Sequence, residues 1–190
     1  MGIPGSLTFK LGIEKTVYNN KDSYILGGLG QAVIEWAHGA LSPENLPATI
    51  ASVENLRVVR DTDAPPTDEE RQQFVRFADF FLGVDSRSWY ALLRKLQPSC
   101  CGVDDLLAAG IILHDHRPPY GVNYIVDFEN EELVITASVR RKRFALTFEE
   151  LTAMYPPRLN VYRAHHAFDE DEDEDEDGED EDEDEREGVR

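Results

Sequence analysis

From Asp169 onward the sequence becomes almost pure carboxylate: Asp169, Glu170, Asp171, Glu172, Asp173, Glu174, Asp175, Glu176 and Asp177, one Gly178, then Glu179, Asp180, Glu181, Asp182, Glu183, Asp184 and Glu185. Such a stretch offers no apolar side chain to bury and cannot offset the entropy of ordering its own backbone. It is expected to be disordered, so any fold must be made by residues 1–168 alone. The charge divides in the same place. Residues 169–190 hold 17 of the 38 acids and two of the 19 bases, a net of −15, which leaves only −4 of the total −19 to the body. A body of that length falls within the usual ~100–200 residues of one domain. The expectation is one α+β globular domain over residues 1–168 and a disordered, Asp/Glu-rich tail over 169–190.

Carboxylates spaced by ~3.3 Å along an extended chain lie well inside the ~8 Å Debye length at physiological salt. The tail therefore acts on its surroundings as a diffuse polyanion, with two kinds of target. One is a basic protein partner, of histone, ribosomal or other nucleic-acid-binding type. The other is the dense basic cluster of the body itself, Arg140, Arg141, Lys142 and Arg143. No run approaches the ~18 apolar residues of a membrane span, and the first residues lack the charged and apolar regions of a signal peptide. A soluble, intracellular protein is expected, cytoplasmic or nuclear, with no membrane partner.

Within the body, Pro65-Pro66, Pro118-Pro119 and Pro156-Pro157 interrupt helix and ladder alike. Leu7, Phe9, Leu11 and Ile13 alternate with mostly polar neighbours, and the turn-like Asn19-Asn20-Lys21-Asp22 before Tyr24-Ile25-Leu26 suggests an N-terminal hairpin closing there. Leu29, Val33, Trp36, Ala37 and Ala40 then line one face of a helix. The middle of the chain predicts three helices. The first opens on a Thr67/Glu70 capping box and carries Phe74, Phe77, Ala78, Phe81 and Leu82 to about Gly83. The second carries Trp89, Leu92, Leu93 and Leu96, and the third runs from Val103 to Ala109 before Gly110. After Pro118-Pro119, Val122, Tyr124, Val126 and Phe128 face Leu133, Ile135, Ala137 and Val139 across a Glu129–Glu131 turn in a C-terminal hairpin. Arg140 to Arg143 follow at the end of its second strand. Thr147 and Glu150 cap a last short helix.

Chemistry-bearing residues are few. His114 and His116 flank Asp115, and on an extended segment their imidazoles would project from one face as a pair of metal ligands. Surface histidines are the plainer alternative, because no His-Glu-x-x-His helix or neighbouring Glu at a ligand spacing accompanies them. Gly27-Gly28-Leu29-Gly30 precedes a helix, where amides can cradle an anion, but the third glycine of a dinucleotide fingerprint is replaced by Val33. A tight turn is the better account. Cys100 and Cys101 are adjacent, cannot readily bridge each other and have no second pair with which to hold zinc, so buried or half-buried thiols are expected.

No cofactor is called for and no catalytic residue is assigned. The reading that follows is a non-catalytic protein-interaction module whose acidic tail binds basic partners or its own basic cluster. Two alternatives stand beside it. Three helices followed by a hairpin follow the element order of a winged helix, which suggests a nucleic-acid-binding regulator masked by its tail. Direct nucleic-acid contact is disfavoured, since Asp104 and Asp105 open the would-be recognition helix. The second is a metal-dependent enzyme built on the His114/His116 pair.

Overall fold

The computed structural model describes residues 2–79, 87–114, 121–138 and 141–169. Strands run over Gly5–Leu11 (β1), Ile13–Asn19 (β2), Arg57–Val59 (β3), Ile111–Leu113 (β4), Val122–Asp127 (β5), Glu132–Ala137 (β6) and Lys142–Thr147 (β7). Helices run over Leu29–Ala40 (α1), Leu46–Glu54 (α2), Asp68–Phe74 (α3), Trp89–Leu92 (α4), Pro98–Cys101 (α5), Val103–Ala109 (α6), Phe148–Ala153 (α7) and Arg158–Asp169 (α8). The fold is α+β, with an N-terminal hairpin, a helical middle and a C-terminal hairpin. No helix among the described residues is long and apolar enough to cross a membrane.

Five strands form one sheet in the order β2-β1-β5-β6-β7, antiparallel except for the parallel pair of β1 with β5. That register sets Leu7 beside Tyr124 and Phe9 beside Val126, so strand alternation gathers Leu7, Phe9, Tyr124, Val126, Leu133, Ile135 and Leu146 on one face, all fully buried. Helix α1 covers this face, with Trp36 meeting Phe9 edge-on at a centroid distance of 6.0 Å. Helices α7 and α8 pack against α1 in the same layer. The opposite face is mostly polar, with Ile125 and Val134 at its centre: Ser6 donates to Asn123 at 2.9 Å, Thr8 and Thr16 share a 2.9 Å bond, and Lys10 meets Asp127 at 2.7 Å. A small parallel pair, β3 and β4, carries the middle of the chain against β2.

The N-terminal hairpin closes earlier than the sequence suggests. Its turn is Gly12, at φ 65°, and Leu11 pairs with Ile13; a residue without Cβ accepts this left-handed conformation at little cost. Asn19, the expected turn former, is instead fully buried at the end of β2, where its side chain donates to Lys21 O and to Ser23 Oγ and accepts from the Ser99 amide. Tyr24-Ile25-Leu26 is therefore a loop. It folds back under α1, where Gly30 comes so near that an added Cβ would stand 2.6 Å from the Ile25 Cα and 2.5 Å from the Tyr124 hydroxyl.

Helix α3 opens on the expected Thr67/Glu70 capping box but ends at Phe74, followed by a 3₁₀ turn over Val75–Phe77. The backbone beyond is used elsewhere: Lys95 N donates to Phe77 O at 2.8 Å and Asp79 N to Ala91 O at 3.2 Å, bonds that replace continued helix. The rest of the expected helix, Phe81 to Gly83, lies outside the described residues. Trp89, Leu92, Leu93 and Leu96 are all buried as their spacing requires, although only α4 is regular helix. Helix α6 ends at Gly110 in the left-handed region, as expected. The C-terminal hairpin is β5 and β6, with a third strand, β7, added beyond it.

Candidate functional site

The tail is reached through α8. Val161, Ala164 and Phe168, at the spacing of one helical face, are buried, and this packing makes a helix of a segment rich in polar residues. Two anchors fix it. At its beginning the fully buried Asn160 reaches Glu150 O at 3.4 Å, and Arg163 bonds both Asn160 Oδ1 at 3.3 Å and Glu150 Oε1 at 3.1 Å. Glu150 is itself held below the ordinary carboxylate value, first by the Thr147 amide it accepts from and then by Arg163. At the far end Lys142 Nζ donates to Phe168 O at 2.9 Å. A cation at the negative end of the helix dipole favours the helix and offsets the acids that begin at Asp169. Lys15 does the same for α2, donating to Val53 O, Glu54 O and Leu56 O at 2.8, 2.7 and 2.9 Å.

The outer face of α8 is unusual. Leu159 and Tyr162, 46% and 50% exposed, stand one turn apart with His166 a further turn on, and together with Phe144 of β7 and Met154 they line a shallow groove of about 640 Å³. Sequence reasoning missed both this helix and its outer stripe. The signal was present as two interleaved periods of three to four residues, one through Val161, Ala164 and Phe168 and one through Leu159, Tyr162 and His166, after the Pro156-Pro157 break.

The described members of the basic cluster, Arg141, Lys142 and Arg143, do not form one patch. They start β7 rather than end the second hairpin strand, because the chain turns at Arg141, φ 51°, and pairs again with β6. Alternation then parts the cations: Lys142 points to α8, while Arg143, on the polar face, meets Glu132 at 3.0 Å. Arg141 is exposed at the turn. Arg140 lies outside the described residues, as do Asp115, His116, Val139 and the tail from Glu170 to Glu185.

His114 follows β4 and is half-buried, with its backbone amide bonded to Val59 O at 2.8 Å. No group of three or more His, Cys, Asp or Glu residues placed to hold a metal ion occurs among the described residues. Cys100 is exposed and Cys101 half-buried. The Cys101 thiol is pushed up to about 12 by burial and by the nearby Asp105 and Cys100, the opposite of what an activated nucleophile needs. At the glycine-rich turn the amides of Leu29 and Gly30 already donate to Asp22 O at 2.7 Å and Tyr24 O at 2.9 Å, so those two are not available to cradle an anion. A cleft of about 560 Å³ between α1, α2 and α6 has Trp36 in its wall, whose buried indole N–H has no partner among the described residues. Three of the cleft's polar side chains bond within the fold, Asn45 donating to Gly39 O, Thr49 to Ala40 O and Ser52 to Ala48 O, and Glu35 and Asp104 complete its polar lining. The β5–β6 hairpin lies inside the sheet, flanked by β1 and β7, so neither strand is a free wing. No protein-family model, curated protein or solved structure matches the chain.

Proposed function

We propose that this chain is a non-catalytic interaction module that captures basic proteins with the acidic tail beginning at Asp169. The observation that carries the reading is the anchoring of α8 through Lys142 and Phe168, which fixes the point on the body from which the polyanion departs. Long-range attraction from the tail raises the rate of encounter, and contacts on the body supply what specificity there is. The fitting partners are Lys- and Arg-rich proteins of histone, ribosomal or nucleic-acid-binding type, met in the cytoplasm or nucleus. The body's own cluster is the weaker target, because Lys142 and Arg143 already have partners within the fold.

The test uses a lysine-rich polypeptide as probe, the full chain and a chain ending at Phe168, and a salt titration. The full chain is expected to bind and to weaken steeply with salt, and the shortened chain to lose that binding. Equal salt slopes for the two chains overturn the reading.

A further inference from the structure

We propose that the groove between α8 and β7 seats an apolar anchor on the same basic partner that the tail attracts, so that the partner is held at two adjoining points. The inference rests on the tail reading and adds the kind of partner selected: a basic segment joined to a short run of Leu, Phe or similar side chains. Three observations carry it. First, the outer stripe of α8 exposes Leu159 and Tyr162 beside the half-buried Phe144 and Met154, apolar side chains grouped around one groove with Arg163 and His166 at its rim.

Second, this stripe is continuous with the polyanion. At 1.5 Å rise per residue, Tyr162 is only about 10 Å along the helix axis from Asp169, so one short ligand can touch both. Third, the cations nearest the groove are already engaged. Arg163 is held by Glu150 and Asn160, and Lys142 by the end of α8, while the sequence that continues past Phe168 is almost wholly acidic. A cationic partner is therefore drawn to this end of the helix, and an apolar side chain on it finds the groove there.

The experiment compares two labelled peptides on the full chain: an oligolysine, and the same oligolysine carrying a Leu/Phe-rich segment at one end. Burying two such side chains is expected to tighten the second peptide roughly ten- to a hundredfold over the first, and this gain is expected to persist at high salt, where the common electrostatic part fades. The double variant Leu159→Ser/Tyr162→Ser, at exposed positions, is expected to keep the melting temperature and oligolysine binding of the parent and to lose the gain. A gain that is absent, or that survives the double variant, overturns the groove while leaving the tail reading intact. Failure of oligolysine itself to bind overturns the tail reading instead. Sedimentation of the full chain is expected to show a monomer, with or without the double substitution. A dimer that the substitution dissolves assigns the groove to a second copy of the chain and also overturns the proposal.

Discussion

On the helix-covered face of the sheet, Leu7, Phe9, Tyr124, Val126, Leu133 and Ile135 lose essentially all contact with solvent; on the other face the same three strands present Ser6, Thr8, Lys10, Asn123, Asp127, Glu132 and Thr136 around only two apolar side chains, Ile125 and Val134. The apolar face supplies most of the free energy, because burial scales with the area removed from water and is indifferent to which apolar group meets which. The polar face supplies discrimination. Its Ser6–Asn123 and Lys10–Asp127 pairs both join β1 to β5, strands that nothing nearby in sequence brings together. A slip of one residue in that parallel pair would put Phe9 on the polar face and Lys10 in the core, and the polar pairs would be broken as well.

Truncating the apolar face should have the largest effect. Phe9→Ala is expected to cost about 3–5 kcal/mol in urea denaturation, through lost transfer energy and the cavity left beside Trp36. A loss below about 1 kcal/mol would mean that α1 is not seated on β1 as described. On the polar face, Asp127 accepts from Lys10, from the amides of Glu129 and Asn130 and from the Asn130 side chain. Asp127→Ala leaves those donors with no acceptor there, and about 1–3 kcal/mol is expected to be lost. If it costs as much as Phe9→Ala, the division of labour between the faces is wrong.

A smaller effect is expected where the sheet meets the tail helix. Lys142→Met removes the cation at the end of α8 and should cost about 1 kcal/mol, seen as faster amide hydrogen exchange confined to the last turn of that helix. Uniform acceleration across the sheet would show instead that α8 and the sheet open as one unit. The smallest effect is the pH response of the polar face. Burial pushes the Asp127 carboxyl up, but the Lys10 ammonium and the Asn130 and Glu129 donors outweigh it and hold the group below its ordinary 3.8. Its contribution is then complete above that value and fades as pH falls through the lowered one. Lys10, raised above 10.5 chiefly by its bond to Asp127, contributes fully below 10.5 and loses this as pH rises through the raised value. In Asp127→Asn both limbs of the stability profile should flatten, and an unchanged acid limb would sink this assignment.

Local signals were legible in the sequence and distant ones were not. Both capping boxes, Thr67 with Glu70 and Thr147 with Glu150, form as read, because their chemistry is complete within four residues. The Gly110 stop and the β5–β6 hairpin are equally local. The pairing of β1 with β5 is not, since no residue in either strand names its partner. The same holds for Asn19, whose turn-forming side chain is claimed by Ser99 from far along the chain, and for Phe77, whose carbonyl is taken by Lys95. Lys142 and Arg143 look like parts of one patch in sequence only because alternation acts after the strand has formed. The α8 groove stayed hidden because its polar helix falls below the hydrophobicity that marks a core segment.

The parallel β1–β5 pair also bears on the timing of folding. Its two strands are separated by most of the helical middle, so the chain must close a long loop before the centre of its sheet exists, a topology of high contact order and slow assembly. During synthesis at ~5–20 residues per second, β1 has no neighbour but β2 for roughly 5–25 s before β5 has been made. Through that interval its inner edge is an unpaired template on which another nascent chain can add. The acids from Asp169 onward emerge only after β5 can seal the edge, so their mutual repulsion between chains arrives too late to guard the most aggregation-prone stage. Helix α1, made long before β5, can cover Leu7 and Phe9 on the face of the sheet, but the hydrogen-bonding edge of β1 stays open until β5 arrives.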